Sequence, residues 1–307
     1  MEINLGELVH YGLYFAGARL LGRRKPLVGG INITSYCNLQ CAHCVYAAQP
    51  IPREHLTRAQ IQAMMDGFRR QGVRVLFLQG GEPTLWHDGD YCFNDLVRDA
   101  KKQFSRVACV TNAILPIDNP CDLVWVSVDG SPEVHDRVRG QGSYAKMAEN
   151  VAESANPNLY ANITLSKLNL DDLESCVEHI RRDMPRFKAI SVNFEIPYPG
   201  VEAHTLDYPQ RVQAVERIIA LRRAGHPILN SPASLRLMLK PNWNTTHWLI
   251  SLAHPNGLVV EGCGARNLDP KICEYCGYGV MAEVQAIWRG NPGAIIDSFR
   301  LFRIING

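Results

Sequence analysis

The stretch Cys37-Asn-Leu-Gln-Cys41-Ala-His-Cys44 decides how this 307-residue chain is read. It follows the apolar run Gly30-Ile-Asn-Ile-Thr34, which predicts a short buried strand. Cysteines at gaps of three and two residues can converge on one metal centre. Thiolates are soft ligands for zinc or for an iron–sulfur cluster. Three readings stand open. A structural zinc site needs four ligands, and His43 lies awkwardly between Cys41 and Cys44 to be the fourth. Unrelated buried thiols would suit the burial habit of cysteine, but not three in eight residues at a strand end. A [4Fe–4S] cluster on three thiolates would keep one iron open to a ligand.

The formal net charge is +2, so no electrostatic preference for nucleic acid is visible. Of ten cysteines, six fall in two tight groups, 37/41/44 and 263/273/276. That pattern is unlike a secreted disulfide framework and points to a reducing, cytoplasmic setting with metal ligation. Cys92, Cys109, Cys121 and Cys176 sit in apolar or helical patterns and read as core.

Beyond the cysteine loop, strand and helix patterns alternate. Thr57-Arg-Ala-Gln60 is a capping box opening a helix with Ile61, Met64, Met65 and Phe68 on one face, stopped at Gly72. Strands are expected at 73–79, 107–111, 123–128, 160–165 and 189–194. Helices are expected near 94–104, over 144–154, after a cap at Asn169, and after a cap at Asp207 with Val212, Val215, Ile218 and Ile219 inward. Six such units imply an α/β fold: a partial (β/α)6 TIM-like barrel with an open side that could admit a bulky substrate. Residues 28–230 would form it, and 231–307 a small C-terminal cysteine-containing extension.

Residues 4–21 read as an amphipathic helix, with Leu5, Leu8, Val9, Leu13, Ala16 and Leu20 at helical spacing and a basic end at Arg19, Arg23, Arg24 and Lys25. It is too short and interrupted to span a bilayer. It would pack on the domain or on a partner chain, or touch a membrane or lipid-like substrate.

In a barrel of this kind chemistry collects at the C-terminal strand ends. The second strand runs into Gly80-Gly81-Glu82-Pro83, where glycines permit close approach and a carboxylate can receive an ammonium. The next ends carry Thr111-Asn112, Ser127-Val-Asp129-Gly130 with His135-Asp136-Arg137 and Arg139-Gly140, Ser166-Lys167, and Glu195. Turn and capping roles compete with functional ones at each.

CxxxCxxC followed one strand later by Gly-Gly-Glu-Pro resembles the radical S-adenosylmethionine (SAM) superfamily, over about residues 28–230. The later strand-end segments are similar to its SPASM and twitch type, with a weaker likeness at Ile228-Leu-Asn-Ser-Pro232 to the hopanoid-adenosylating enzyme. The resemblance implies a cluster on Cys37, Cys41 and Cys44 whose open iron holds SAM. It places the SAM amino group at Gly80–Pro83, and SAM or substrate near Asn112, Ser127, Asp129, Ser166, Lys167 and Glu195. His43 stands where many members carry an aromatic residue, so its backbone is expected to matter more than its ring. Flavodoxin or ferredoxin would supply the electron. Cys263, Cys273 and Cys276 imply a second cluster, with zinc the alternative. Its fourth ligand would lie elsewhere, its open iron would take substrate, or one thiol such as Cys276 would donate a hydrogen atom.

Three functions follow: a radical SAM enzyme modifying a lipid-like or natural-product intermediate, with peripheral membrane contact; a radical SAM peptide or protein maturase; or a metal-binding scaffold without turnover.

Overall fold

A computed structural model describes residues 5–49, 52–254, 259–263, 265 and 269–298. The chain opens with α1 (Leu5–Leu20), β1 (Val28–Thr34), α2 (Val45–Ala48), α3 (Arg58–Gln71) and β2 (Val75–Gly80). A small ribbon, β3 (His87–Asp88) and β4 (Tyr91–Cys92), leads into α4 (Phe93–Lys101), β5 (Arg106–Thr111) and β6 (Leu123–Ser127). Then come α5 (Pro132–Arg139), α6 (Ser143–Glu153), β7 (Leu159–Leu165), α7 (Leu173–Asp183), β8 (Ala189–Phe194) and α8 (Tyr208–Arg223). The extension supplies α9 (Pro232–Leu237), β9 (Ile250–Ala253), β10 (Val259–Glu261) and α10 (Gly279–Trp288).

The main sheet has the order β10-β9-β1-β2-β5-β6-β7-β8. From β9 to β8 every neighbouring pair is parallel, and only β10 runs antiparallel. The six expected strands are thus present in sequential order, joined by helical crossovers except between β5 and β6, where residues 112–122 cross without a helix. The helices bury their apolar stripes on the sheet: Met65 and Phe68, Leu96 and Val97, Met147 and Val151, Val177 and Ile180 all lie in one core. Trp125, Tyr160, Ala189 and Leu229 form a separate buried cluster, with Phe77 and Val110 against it.

The capping box at Thr57 forms, the cap at Asp207 proves to be a reciprocal box with Gln210, and Gly72 ends its helix with φ +94°. Asn169 makes no cap; its amide donates to the carbonyls of Asp129 and Thr164 and so ties β6 to β7. Val212 is 41 % exposed, while Val215, Ile218 and Ile219 are buried as expected.

The arc's side is not left bare. β9 pairs with β1 at one margin, and the amide of Phe194, the last residue of β8, donates to Gly277 at the other (3.0 Å). Only glycine fits there, since a Cβ at 277 would stand 1.8 Å from the Phe194 carbonyl oxygen. The extension therefore bonds to both margins of the six-strand arc.

α1 lies with the opposite face inward from the one its leucine spacing suggests. Tyr14 and Phe15 pack on the core against Trp248 and Trp288, and Ala18 is buried. Val9, Leu13 and Leu20 are exposed, and Asn4 lies outside the described residues. Two aromatic rings bury more surface than aliphatic side chains at the same pitch, which decides the face. Cys109, Cys121 and Cys176 are core, but Cys92 is exposed, its thiol 3.2 Å from Asp95. No disulfide joins any of the ten cysteines. No described helix is long and apolar enough to cross a membrane.

Candidate radical SAM site

The cysteine loop leaves β1 through a tight turn in which the Tyr36 amide donates to Thr34 Oγ1 (2.9 Å). Cys41 is buried and Cys37 and Cys44 are half-buried. The amide of Ala42 donates to the Val138 carbonyl of α5 (2.8 Å), fixing the loop to the helix that follows β6. Burial pushes the Cys41 thiol up to about 11 and raises Cys37 as well. Thiols in that state ionise on binding a metal rather than spontaneously. Among the described residues no three His, Cys, Asp or Glu side chains converge on a single ion. A cubane spreads its ligands wider than one ion does, and three soft sulfurs with an open fourth side suit it.

The Cβ positions of Gly80 and Gly81 are taken up by the root of the cysteine loop. A Cβ at 80 would stand 2.1 Å from the Thr34 carbonyl oxygen, and one at 81 would stand 2.1 Å from that of Tyr36. The missing side chains let the end of β2 lie directly on the root of the cysteine loop. The amides of Gly81 and Glu82 donate to Thr34 and Tyr36 at 2.8 and 2.7 Å. Glu82 is 1 % exposed, and its carboxylate accepts from the Thr84 amide and hydroxyl, the Thr111 hydroxyl and the Asn112 amide. Burial still holds that carboxyl above its usual range. The side chain expected to receive an ammonium is thus enclosed by donors from Thr84, Thr111 and Asn112. Pro83 opens a single 3₁₀ turn.

Asn112 reaches the loop, donating to Asn38 Oδ1 (2.7 Å) and lying 3.7 Å from Cys37 Sγ. Asp129 is fully buried. One of its oxygens meets Arg139 Nε at 2.6 Å and stands 3.4 Å from His43 Nε2; the other accepts the Thr164 amide (3.0 Å). Burial pushes this carboxyl up, but Arg139, His43 and the Thr164 amide together hold it below the usual range. Arg139 Nη1 lies 3.8 Å from Cys41 Sγ. Burial lowers the His43 pKa, so the positive charge facing Asp129 at neutral pH is that of Arg139. The His43 ring is therefore engaged with Asp129 as well, beyond the backbone role expected of it. His135 accepts the Asp129 amide through Nδ1 (3.2 Å), and burial drops its pKa to about 4. Asp136 caps the turn into α6 through the amides of Gly142 and Tyr144.

Ser127 is buried at the end of β6. Ser166 is taken up in a local turn, accepting the Leu168 amide (3.2 Å), and Lys167 is exposed. Neither joins the network around Cys41. Glu195 does point to a site: it is 4 % exposed and neither carboxylate oxygen has a partner. Burial, with Asp129 nearby, pushes it up to about 8. The adjacent cation, Arg211, spends its guanidinium on the carbonyls of Tyr275 (2.8 Å) and Glu195 (3.3 Å) instead.

Next to Glu195, Ile196 lines a pocket with Cys263, Cys273, Cys276, Asn244 and His247. Burial pushes the Cys276 thiol up to about 11, and Cys263 and Cys273 are near enough to add to the shift. Nothing in the sequence marks a role for Asn244, His247 or Arg211, and the spacing of Arg139 after β6 does not tell which sulfur it meets.

Residues 31–180 match the model of the Radical SAM superfamily. The chain carries a radical SAM domain. Members of that superfamily use a [4Fe–4S] cluster and SAM, and Cys37, Cys41 and Cys44 lie within the matched residues. Curated relatives include the sporulation killing factor maturation protein of Bacillus subtilis (strain 168), 26 % identical over 55 % of this chain and 47 % of its own length. The mycofactocin maturase of Mycobacterium ulcerans (strain Agy99) is 30 % identical over 50 % of this chain and 44 % of its own. The Fe-coproporphyrin III synthase of Methanosarcina barkeri (strain Fusaro / DSM 804) is 28 % identical over 66 % and 53 %. The chain spans about half the length of these relatives. Streptococcus suis SuiB bound to S-adenosylmethionine has the same fold, with TM-score 0.63 and 15 % identity over 97 % of this chain and 74 % of that one.

Proposed function

We propose that this chain is a radical SAM enzyme that matures a peptide or protein, with a second iron–sulfur cluster on its C-terminal cysteines. The observation that carries the reading is the placing of two cysteine groups on one barrel: Cys37, Cys41 and Cys44 follow β1, and Cys263, Cys273 and Cys276 line a pocket beside Ile196, just past β8. Two of the relatives that match its radical SAM domain are named as maturation proteins. A lipid-like substrate has less behind it, because these named relatives are maturation proteins.

A [4Fe–4S] cluster on Cys37, Cys41 and Cys44 would supply the electron that cleaves SAM to a 5′-deoxyadenosyl radical. The chain's own residues shape that site. Arg139 offsets charge at Cys41 and is held by Asp129. With the Glu82 carboxylate enclosed, main-chain carbonyls of the Gly80–Pro83 turn would receive the amino group of SAM, and Asn112 and Ser127 would border the nucleoside. Glu195, neutral and unpartnered, would hydrogen-bond substrate. A flavodoxin or ferredoxin would donate the electron, in a reducing compartment that suits ten cysteines without a disulfide.

The test is an anaerobic reaction of reconstituted protein with SAM and dithionite, offered either a pooled synthetic peptide library or an isoprenoid-lipid extract. 5′-Deoxyadenosine together with a mass-shifted peptide is expected. Mass-shifted lipid with unmodified peptides would overturn the maturase reading, and no 5′-deoxyadenosine at all would leave only a scaffold.

A further inference from the structure

We infer that His247 is the fourth protein ligand of the C-terminal centre, making it a three-thiolate, one-imidazole iron–sulfur site. The inference rests on the second cluster proposed above and adds what the cysteine count left missing.

The pocket that holds Cys263, Cys273 and Cys276 is also lined by His247, and among its described lining residues this is the only imidazole. A Cβ on Gly262 would lie 3.7 Å from His247 Cδ2, so the ring stands beside the residue that precedes Cys263. Imidazole nitrogen is an accepted partner of thiolates at iron, and replaces cysteine in some clusters. Of the other polar neighbours, Tyr278 has its phenol hydrogen-bonded with that of Tyr198, and Asn244 is an amide whose nitrogen faces Cys276 Sγ at 3.9 Å. An N–H so placed donates to a sulfur and does not ligate iron.

The segment that carries His247 is built for fixed placement. Trp243 donates its indole N–H to the Cys276 carbonyl (2.9 Å), tying the segment to one of the three cysteines. Asn244 Oδ1 accepts the amide and hydroxyl of Thr246 (3.0 and 3.2 Å). Gln285, 1 % exposed, takes the amide and hydroxyl of Thr245 through one oxygen (2.8 and 3.0 Å). His247 then opens the 3₁₀ turn that leads into β9. A ligand needs this kind of outer support, which fixes the ring before metal arrives. Imidazole in place of a thiolate removes negative charge from the cluster, so the second centre would be easier to reduce than an all-cysteine one.

The experiment uses the full chain, reconstituted anaerobically with iron and sulfide, and compares wild type with His247→Cys, His247→Ala and a Cys37/Cys41/Cys44→Ala variant that isolates the second centre. Iron and sulfide are counted, ¹⁴N couplings are read by pulsed electron paramagnetic resonance of the reduced cluster, and its potential is titrated. Expected are two clusters in wild type, a directly bound imidazole nitrogen in the isolated second centre, and in His247→Cys full iron with no such coupling and a lower potential. A second cluster without strong ¹⁴N coupling, or a His247→Ala spectrum and potential equal to wild type, would overturn the assignment while leaving the two-cluster reading intact. Iron for one cluster alone, or zinc in the second site, would overturn both. The wild-type ¹⁴N measurement needs no variant to fold.

Discussion

Arg139 and Asp129 meet at 2.6 Å in the interior, and the same guanidinium lies 3.8 Å from the sulfur of Cys41. One buried cation thus serves both a carboxylate from the end of β6 and a thiol of the metal-binding loop. Two consequences can be measured.

Removing the cation should be costly. Arg139→Leu leaves Asp129 buried and unpaired, for which about 3–5 kcal/mol of lost stability is expected. Urea unfolding of the metal-free chain checks this; a midpoint equal to wild type would refute it. The pH profile should follow. Because the Asp129 carboxyl is held below its usual range, its stabilisation is present above that range and is lost as pH falls through its lowered folded value. Arg139→Leu should flatten this acid limb.

Glu195 should act in the opposite sense. Its carboxyl rises from an ordinary 4.5 to about 8 on burial, so folding binds a proton there. Its contribution is fully present below the ordinary value and drains away as pH climbs toward 8. Glu195→Gln should therefore gain stability relative to wild type between pH 5 and about 8, read as a rising difference in denaturant midpoint. A constant difference would rule this out.

A single methyl at Gly81 should disturb the cysteine loop without touching a cysteine. Its Cβ would stand 2.1 Å from the carbonyl oxygen of Tyr36, so backbone must move. We expect Gly81→Ala to cost roughly 1–3 kcal/mol and to lower iron content after reconstitution. Full iron with unchanged stability would show that the loop tolerates the shift.

The two cysteine groups should separate cleanly. Cys41→Ala should abolish reductive SAM cleavage, while Cys273→Ala should keep the first cluster's spectrum and reduce total iron. Cleavage retained in the first, or iron unchanged in the second, would contradict the respective assignment.

The exposed stripe of α1 should be silent in folding. Leu13 and Leu20 are 68 % and 79 % exposed, so Leu13→Glu with Leu20→Glu should shift stability by no more than about 0.5 kcal/mol per site. Phe15→Ala, whose ring lies against Trp288, should cost clearly more.

What the sequence disclosed follows from range. Strands β1, β2, β5, β6, β7 and β8 are signalled by local apolar runs, whereas the two-residue β3 and β4 are too short to be; the box at Thr57 and the cap at Asp207 are written in a few adjacent residues. The metal-binding loop is equally local. β9 was not legible, because Ile250-Ser-Leu-Ala253 is short and its partner β1 stands at the other end of the domain. The Glu82 carboxylate looks free in sequence because its donors come from Thr84 and from the next strand end, Thr111 and Asn112. The inward face of α1 was misjudged because a leucine stripe and the Tyr14–Phe15 pair compete at the same pitch, and Trp248 and Trp288 settle the matter from far along the chain.

The bonds from β9 to β1 and from Phe194 to Gly277 have a consequence for the order of assembly. Both margins of the arc leave the ribosome before the segment that clasps them. The loop bearing Cys37, Cys41 and Cys44 is therefore synthesised on an arc whose margins are still unpaired, and the barrel is closed off only once residues 250–277 have emerged.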